Sequence, residues 1–353
     1  MKYFFPSIGY RLSVLETKDT QGSNMKGEID DLSCFSHLSK ATKVQEAFKE
    51  ASCEIREQLL RQGAIVLKGI APSRDARIFE GIMNSLNFDL RDYVGGSSPR
   101  STVKGKVMEA TRTPADWSII LHQEMAYVKK LPEVIAFVCV EPAENGGNST
   151  IGDMRQINNL TKESSLNLLQ KRGLKLRRTL PSEERVKLKP GVKKSWQETF
   201  STSSRLEAEL ICKARGWEYE WNSKDLVLWQ DTIDPMRKHP ITGASIWCNQ
   251  AHFWGATAMI EWAKLDNRKG DIQELTKAQK ENSNLLEAMC FGDGEPLPDE
   301  LSFELFHMVR GLESDVHLNS GDILLLDNFQ FSHGRRAFSG NRKNNVIIAN
   351  WGK

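Results

Sequence analysis

The chain has 353 residues, 27% of them charged, with a formal net charge of +2, a balance that leaves no basic footprint for nucleic acid. A chain this long forms one large domain or two small ones and buries roughly 75% of its extended surface. The six cysteines (Cys34, Cys53, Cys139, Cys212, Cys248 and Cys290) stand far apart without a CxxC pair, which argues against a zinc ribbon or disulfide framework and for a reducing, cytoplasmic setting.

The N-terminal "MKYFFPSIGYRLSV" is interrupted by Pro6, Gly9 and Arg11, too early for the apolar stretch of a signal peptide. No run approaches ~18 uninterrupted apolar residues, so no membrane span is expected. Residues 1–40, with the polar "KDTQGSNMKGEIDD", read as an arm. From Thr42 to Arg61 the apolar positions Val44, Ala47, Phe48, Ala51, Ile55 and Leu59 recur at three and four, the spacing of an amphipathic helix, and Gly63 ends it. "AIVLKGI" predicts a buried strand and Asp75–Leu86 a second helix. "YVGGSSPRSTVKG" is glycine-rich but opens no helix and lacks GK[ST], so it reads as a loop rather than a phosphate cradle.

"VIAFVCV", "DILLLDN" and "NNVIIANWG" are short, β-branched and turn-bounded, the pattern of strands in a buried sheet. Helical spacing is predicted for 202–216, 255–265 and 275–290. The basic, proline-punctuated "LRRTLPSEERVKLKPGVKKSW" reads as a solvated surface loop, because charge runs usually face water. With no repeat and no clean linker, residues 41–353 read as a single domain, mainly β with helical insertions.

Candidate chemistry begins at "LHQEMA". In a strand, residues i and i+2 share a face, so His122 and Glu124 would project together. A distal histidine follows in "LLLDNFQFSHGRRAFSGNR", at His333. Two histidines and one carboxylate form the facial triad that holds non-heme Fe(II) with positions left open for a bidentate 2-oxoacid and dioxygen. An arginine beyond the distal histidine, Arg342, suits the far carboxylate of such a co-substrate, because its planar fork makes a two-point pair. Two rivals stand beside this reading. A zinc hydrolase could use the same triad with bound water, though it leaves Arg342 unexplained; a non-catalytic binding protein could share the scaffold. His239 sits in the turn signal "KHPITG", His252 is a candidate for the pocket wall, and His37, His307 and His317 have no partner pattern.

From about residue 90 the chain resembles the TauD/TfdA family of Fe(II)/2-oxoglutarate dioxygenases, in particular its SyrP-like and clavaminate synthase-like branch. The pieces that carry the resemblance are "YVGGSSPR", "IILHQEMAY", "PEVIAFVCVEPAENGGNSTIGDMR", "SWQETF", "HPITGASIWCNQ" and "LLLDNFQFSHGRRAFSGNR", in the family's order. The resemblance implies a double-stranded β-helix, the cupin-like jelly roll, with a lid-like insertion at about 196–310. It implies that His122, Glu124 and His333 are the catalytic iron ligands and that Ser149, in the GG-x-[ST] element of Gly146 to Ser149, joins Arg342 on 2-oxoglutarate. Thr150, next door, is the alternative hydroxyl. Where some relatives carry a second arginine four residues after the first, this chain has Val346. Arg100, Asn249 and Arg335 are candidates for substrate contacts. The implied reaction oxidises an unactivated C–H bond of a small polar metabolite, such as an amino-acid derivative of secondary metabolism, free or held on a carrier protein. Hydroxylation, desaturation and oxidative cyclisation all remain open. Halogenation does not, because halogenating relatives lack the carboxylate that Glu124 supplies.

Overall fold

The computed structural model describes residues 13–14, 41–93, 96–98, 100–188, 194–282 and 286–352. The N-terminal arm therefore lies outside the described residues, apart from the two-residue strand Ser13–Val14.

Two antiparallel sheets form the jelly-roll core. The larger has eight strands, and its centre runs Ala64–Leu67, Ile323–Asp327, Val134–Glu141 and Lys343–Asn350 in spatial order. The smaller has four: Ser314–Val316, Ser149–Asp153, Phe331–Arg335 and Ile119–His122. Alternation along the large sheet shows why its strands read as unbroken apolar runs. Ile135, Phe137, Leu324, Leu326, Val346 and Ile348 face the small sheet, where they meet Ile151, Val316 and Phe331. Val134, Ala136, Val138, Ile323, Leu325 and Ile347 face the opposite way and pack on the N-terminal helices through Phe48, Ile55, Leu59, Phe79 and Ile82. A sheet covered on both faces has no polar side to show.

The predicted Thr42–Arg61 helix is two helices, Ala41–Glu50 and Ser52–Gln62, and Gly63 caps the second at φ 82°. That left-handed conformation suits glycine, and a Cβ there would lie 2.5 Å from the Phe331 ring. The next helix runs Ala76–Ser85 with Asp75 as its N-cap.

The region between the two halves of the core departs from expectation. Helices form at Arg205–Ala214 and Ala256–Leu265, but the third runs Lys269–Asn282 and is followed by a strand, Ala288–Phe291. That strand joins a further four-stranded sheet with Leu174–Leu180, Asp225–Trp229 and Glu218–Asn222. The reading of the basic stretch as a solvated loop is thus corrected at its start: "LKLRRTL" is a strand in which Arg177 and Arg178 are buried. Leu174 and Leu176 are buried too, so the apolar alternation overrode the charge. Among the described residues no helix is long and apolar enough to cross a membrane.

Candidate metal centre and its cavity

His122 ends its strand and pairs directly opposite His333 on the neighbouring strand, with ring centroids 4.4 Å apart. Glu124 is not on that strand, as the i, i+2 argument assumed. It lies in the turn that follows, where Met125 has φ 55°. The turn is pinned from the other half of the core. Asn328 accepts from the Glu124 amide (2.7 Å) and donates to the carbonyls of Glu124 (2.9 Å) and Pro132 (2.8 Å). Gln123, between the two candidate ligands, turns inward and donates to the carbonyls of Trp247 and Phe329. The carboxylate therefore returns to the histidines' side by a clamped turn rather than by strand alternation.

One ligand atom from each of His122, Glu124 and His333 can be chosen so that all lie within 4.8 Å of one another, and His333 Nε2 is 3.8 Å from Glu124 Oε2. The protonation states suit a cation. His122 Nδ1 donates to the Ile120 carbonyl at 3.0 Å, which leaves Nε2 as the lone pair. Burial lowers the His122 pKa; burial, then His122 and Arg100, hold His333 well below the usual imidazole range. Burial alone would raise the Glu124 carboxyl, but Arg100 and His122, with hydrogen bonds from Tyr93 and Arg100, bring it below its ordinary value. Two uncharged imidazoles and one carboxylate are a donor set for Fe(II). Tyr93 donates to Glu124 Oε1 at 3.1 Å and Arg100 to Oε2 at 2.6 Å, so the carboxylate is oriented by partners of its own. Tyr93 stood in the quoted "YVGGSSPR" but carried no assigned role.

The triad opens into a cavity of about 540 Å³. One wall holds Arg342, Ser149, Asn344, Leu324 and Phe137. Arg342 Nε donates to the Gly147 carbonyl at 3.0 Å, and among the described residues no carboxylate pairs with its guanidinium. Gly146 and Gly147 adopt φ 71° and 70°. A Cβ on Gly147 would lie 3.1 Å from Arg342 Cδ and 3.0 Å from Phe338 Cβ, so the glycine pair lets the arginine lie against this turn. Of the two hydroxyls, Ser149 lines the cavity, while Thr150 is fully buried on the other face of the strand, its Oγ1 without a partner among the described residues.

The substrate candidates fare differently. Asn249 is wholly buried, its amide donating to the Pro235 carbonyl (3.0 Å) and accepting from the Ala251 amide (2.9 Å). It does not line the cavity, which corrects the expectation that it faces substrate. Arg335 lines the cavity, but its guanidinium is taken by the carbonyls of Thr113, Pro114 and Trp117. Burial, with Arg342 nearby, pushes its pKa down to about 10. Arg336 pairs with Glu313 and Asp315 away from the triad. Arg100 lines the cavity with one nitrogen on Glu124. His252 is held behind the site, Nε2 donating to the Leu121 carbonyl, and burial pushes its pKa down to about 4. His239 donates from Nε2 to Asp327 at 2.7 Å, both side chains fully buried. Phe253, Trp254, Met259 and Trp262 from the insertion complete an apolar wall, with the Phe253 ring 5.2 Å from His122.

The model of the taurine catabolism dioxygenase TauD, TfdA family matches residues 40–347. The chain is 26% identical over 294 residues to the dapdiamide synthesis protein DdaC of Enterobacter agglomerans, covering 83% of this chain and 84% of that one. It is 27% identical over 292 residues to a clavaminate synthase-like protein of Arabidopsis thaliana, covering 81% of each. Among solved structures, asparagine oxygenase in complex with Fe(II), 2S,3S-3-hydroxyasparagine and succinate superposes with a TM-score of 0.51 at 10% identity, over 88% of this chain and 84% of that one, a likeness of fold.

Proposed function

The chain belongs to the TauD, TfdA family of Fe(II)- and 2-oxoglutarate-dependent oxygenases, and on that premise we propose that it oxidises an unactivated C–H bond of a small polar metabolite. The observation that carries the reading is the convergence of His122, Glu124 and His333 on a cavity whose wall presents an arginine with no carboxylate partner among the described residues.

In this reading His122, Glu124 and His333 would hold Fe(II), and Arg342 and Ser149 would receive the far carboxylate of 2-oxoglutarate. Iron bound there would supply dioxygen activation coupled to decarboxylation of the co-substrate to succinate. The chain's own part is to hold Glu124 anionic between Tyr93 and Arg100, keep both imidazoles uncharged, and wall off water. The apolar residues Phe253, Trp254, Met259 and Trp262 serve the last task, and they support reading about 196–310 as a lid on a single 41–353 domain. Closing a site over substrate in this way keeps reactive chemistry from solvent.

The relative named for dapdiamide synthesis supports a role in making a specialised, amino-acid-derived product. The experiment is a screen of amino-acid derivatives, free and loaded on a carrier protein, with Fe(II), 2-oxoglutarate and air, read by mass. A product that gains one oxygen identifies hydroxylation; loss of two hydrogens identifies desaturation or ring closure. Consumption of 2-oxoglutarate with neither change across the screen would leave the proposed substrate class without support. The zinc hydrolase reading has no use for Arg342 on the cavity wall, and no observation favours it.

A further inference from the structure

The cavity has a second charged wall, on the side of the Leu174–Leu180 strand. Arg178 from that strand, Lys194 after it and Arg100 from the loop before the core all line it. All three are buried: Arg178 is 2% exposed, Lys194 9%, and the Arg100 side chain 4%. Arg100 and Lys194 share one aromatic ring, with the Arg100 guanidinium carbon 4.5 Å and Lys194 Nζ 5.3 Å from the Tyr93 centroid.

The counter-charges do not match. Glu287 takes Arg178 at 3.3 Å, and Glu124 takes Arg100 at 2.6 Å but is also the candidate metal ligand. Asp225, on the same wall, pairs with Arg185 and accepts the Ser182 amide. Among the described residues Lys194 meets no ion-pair or hydrogen-bond partner, its ammonium lying over the Tyr93 ring, and Arg100 keeps Nε and Nη1 buried without partners. Glu198 lies near enough to Lys194 to act on it through space, but burial, Arg178 and Arg100 act against it and the ammonium pKa falls. A buried ammonium and a half-paired guanidinium are unfavourable unless something opposite in charge arrives. The 2-oxoglutarate assigned to Arg342 engages a different wall.

Resting on the functional reading above, we propose that Lys194 and the free nitrogens of Arg100 form an anion subsite, so that the prime substrate carries an acidic group, a carboxylate in first place. Such a subsite would fix the substrate by one end and set which carbon faces the metal, the positioning that hydrogen abstraction requires.

The test uses the full chain loaded with Fe(II) and 2-oxoglutarate under nitrogen. It is titrated with paired amino acids and their primary amides, and separately with inorganic phosphate, and binding is read by calorimetry. The wild type should prefer acids over matched amides by about tenfold or more, the ratio set by one charge-assisted contact. In Lys194→Met that preference should shrink to about twofold or less, and Lys194→Arg should restore most of it. Affinity for 2-oxoglutarate, measured in the same samples, should stay within about twofold of wild type, which also reports that the variant is folded. Equal binding of acids and amides by the wild type, or an acid preference that survives Lys194→Met, overturns the subsite. So does failure of every acid and of phosphate to bind at about 10 mM, a level that would detect even fragment-grade affinity. A large rise in the 2-oxoglutarate Kd of Lys194→Met would assign the anion to the co-substrate instead, which also overturns it. Phosphate binding tighter than any carboxylate would move the acidic group from a carboxylate to a phosphate ester. If wild-type protein fails to bind 2-oxoglutarate at all, the fault lies in the functional reading and not in the subsite.

Discussion

Arg342 is the sharpest place to perturb the co-substrate. Its guanidinium lines the cavity, donates through Nε to the Gly147 carbonyl at 3.0 Å, and meets no carboxylate among the described residues. Burial already lowers its pKa, so the structure holds a charge at a cost that a bound anion would offset. Arg342→Ala should leave the far carboxylate of 2-oxoglutarate unpaired in a partly dry site. Breaking a fully buried pair costs roughly 3–5 kcal/mol. Arg342 is only half-buried, so water softens the loss and the lower end applies, about 3 kcal/mol or roughly a hundredfold in affinity. Arg342→Lys should recover only part of this, because a point charge cannot replace the fork. The assay is an anaerobic titration of the Fe(II)-loaded protein with 2-oxoglutarate, alongside Arg335→Ala. Arg335 is engaged by three carbonyls, so its loss should harm folding more than co-substrate affinity. A 2-oxoglutarate Kd unchanged in Arg342→Ala, or raised equally in both variants, would refute the assignment.

Other expectations follow from the same geometry. His333→Ala should abolish tight Fe(II) binding, since one of three anchors is gone; wild-type iron content and turnover would sink the triad. Tyr93→Phe removes the hydroxyl on Glu124 Oε1 and should weaken Fe(II) binding by about tenfold, the lower end for an outer-shell partner, as measured by competition with a chelator. Gly334→Ala would place a Cβ 2.4 Å from the Ile119 carbonyl and 2.6 Å from Thr150 Oγ1, beside His333; both iron affinity and Tm should fall, at a strain of about 1–3 kcal/mol. Asn249→Ala should lower Tm by stranding the Ala251 amide, at about 1–3 kcal/mol for one buried group, while the Pro235 carbonyl keeps the Cys248 amide; succinate formed per product should not change.

The strands of the large sheet were legible because burial on both faces leaves continuous apolar runs, as in Val134–Glu141 and Lys343–Asn350. The three triad residues could be named because two stand in one short motif and the third follows a strong strand, although the route to Glu124 is a turn clamped by Asn328. What escaped notice was written in long-range packing. Lys194 and Arg178 lie in a stretch whose charge looked like a solvated surface, and only the sheet formed with Asp225–Trp229 and Ala288–Phe291 turns it inward. Asn249 sits in a motif that suggested substrate, yet its amide closes a local backbone turn that spacing alone does not reveal. Which of Ser149 and Thr150 faces the cavity depends on the strand's phase, set by its pairing with Phe331–Arg335.

The most direct test of the central claim is the fate of 2-oxoglutarate in air with purified protein and stoichiometric metal. The account predicts succinate and carbon dioxide in equal amounts with Fe(II), none with Zn(II) or without oxygen, and none with Fe(II) once Glu124 is changed to alanine. Undiminished 2-oxoglutarate beside tightly bound Fe(II), or turnover that Zn(II) sustains as well as Fe(II), would contradict it.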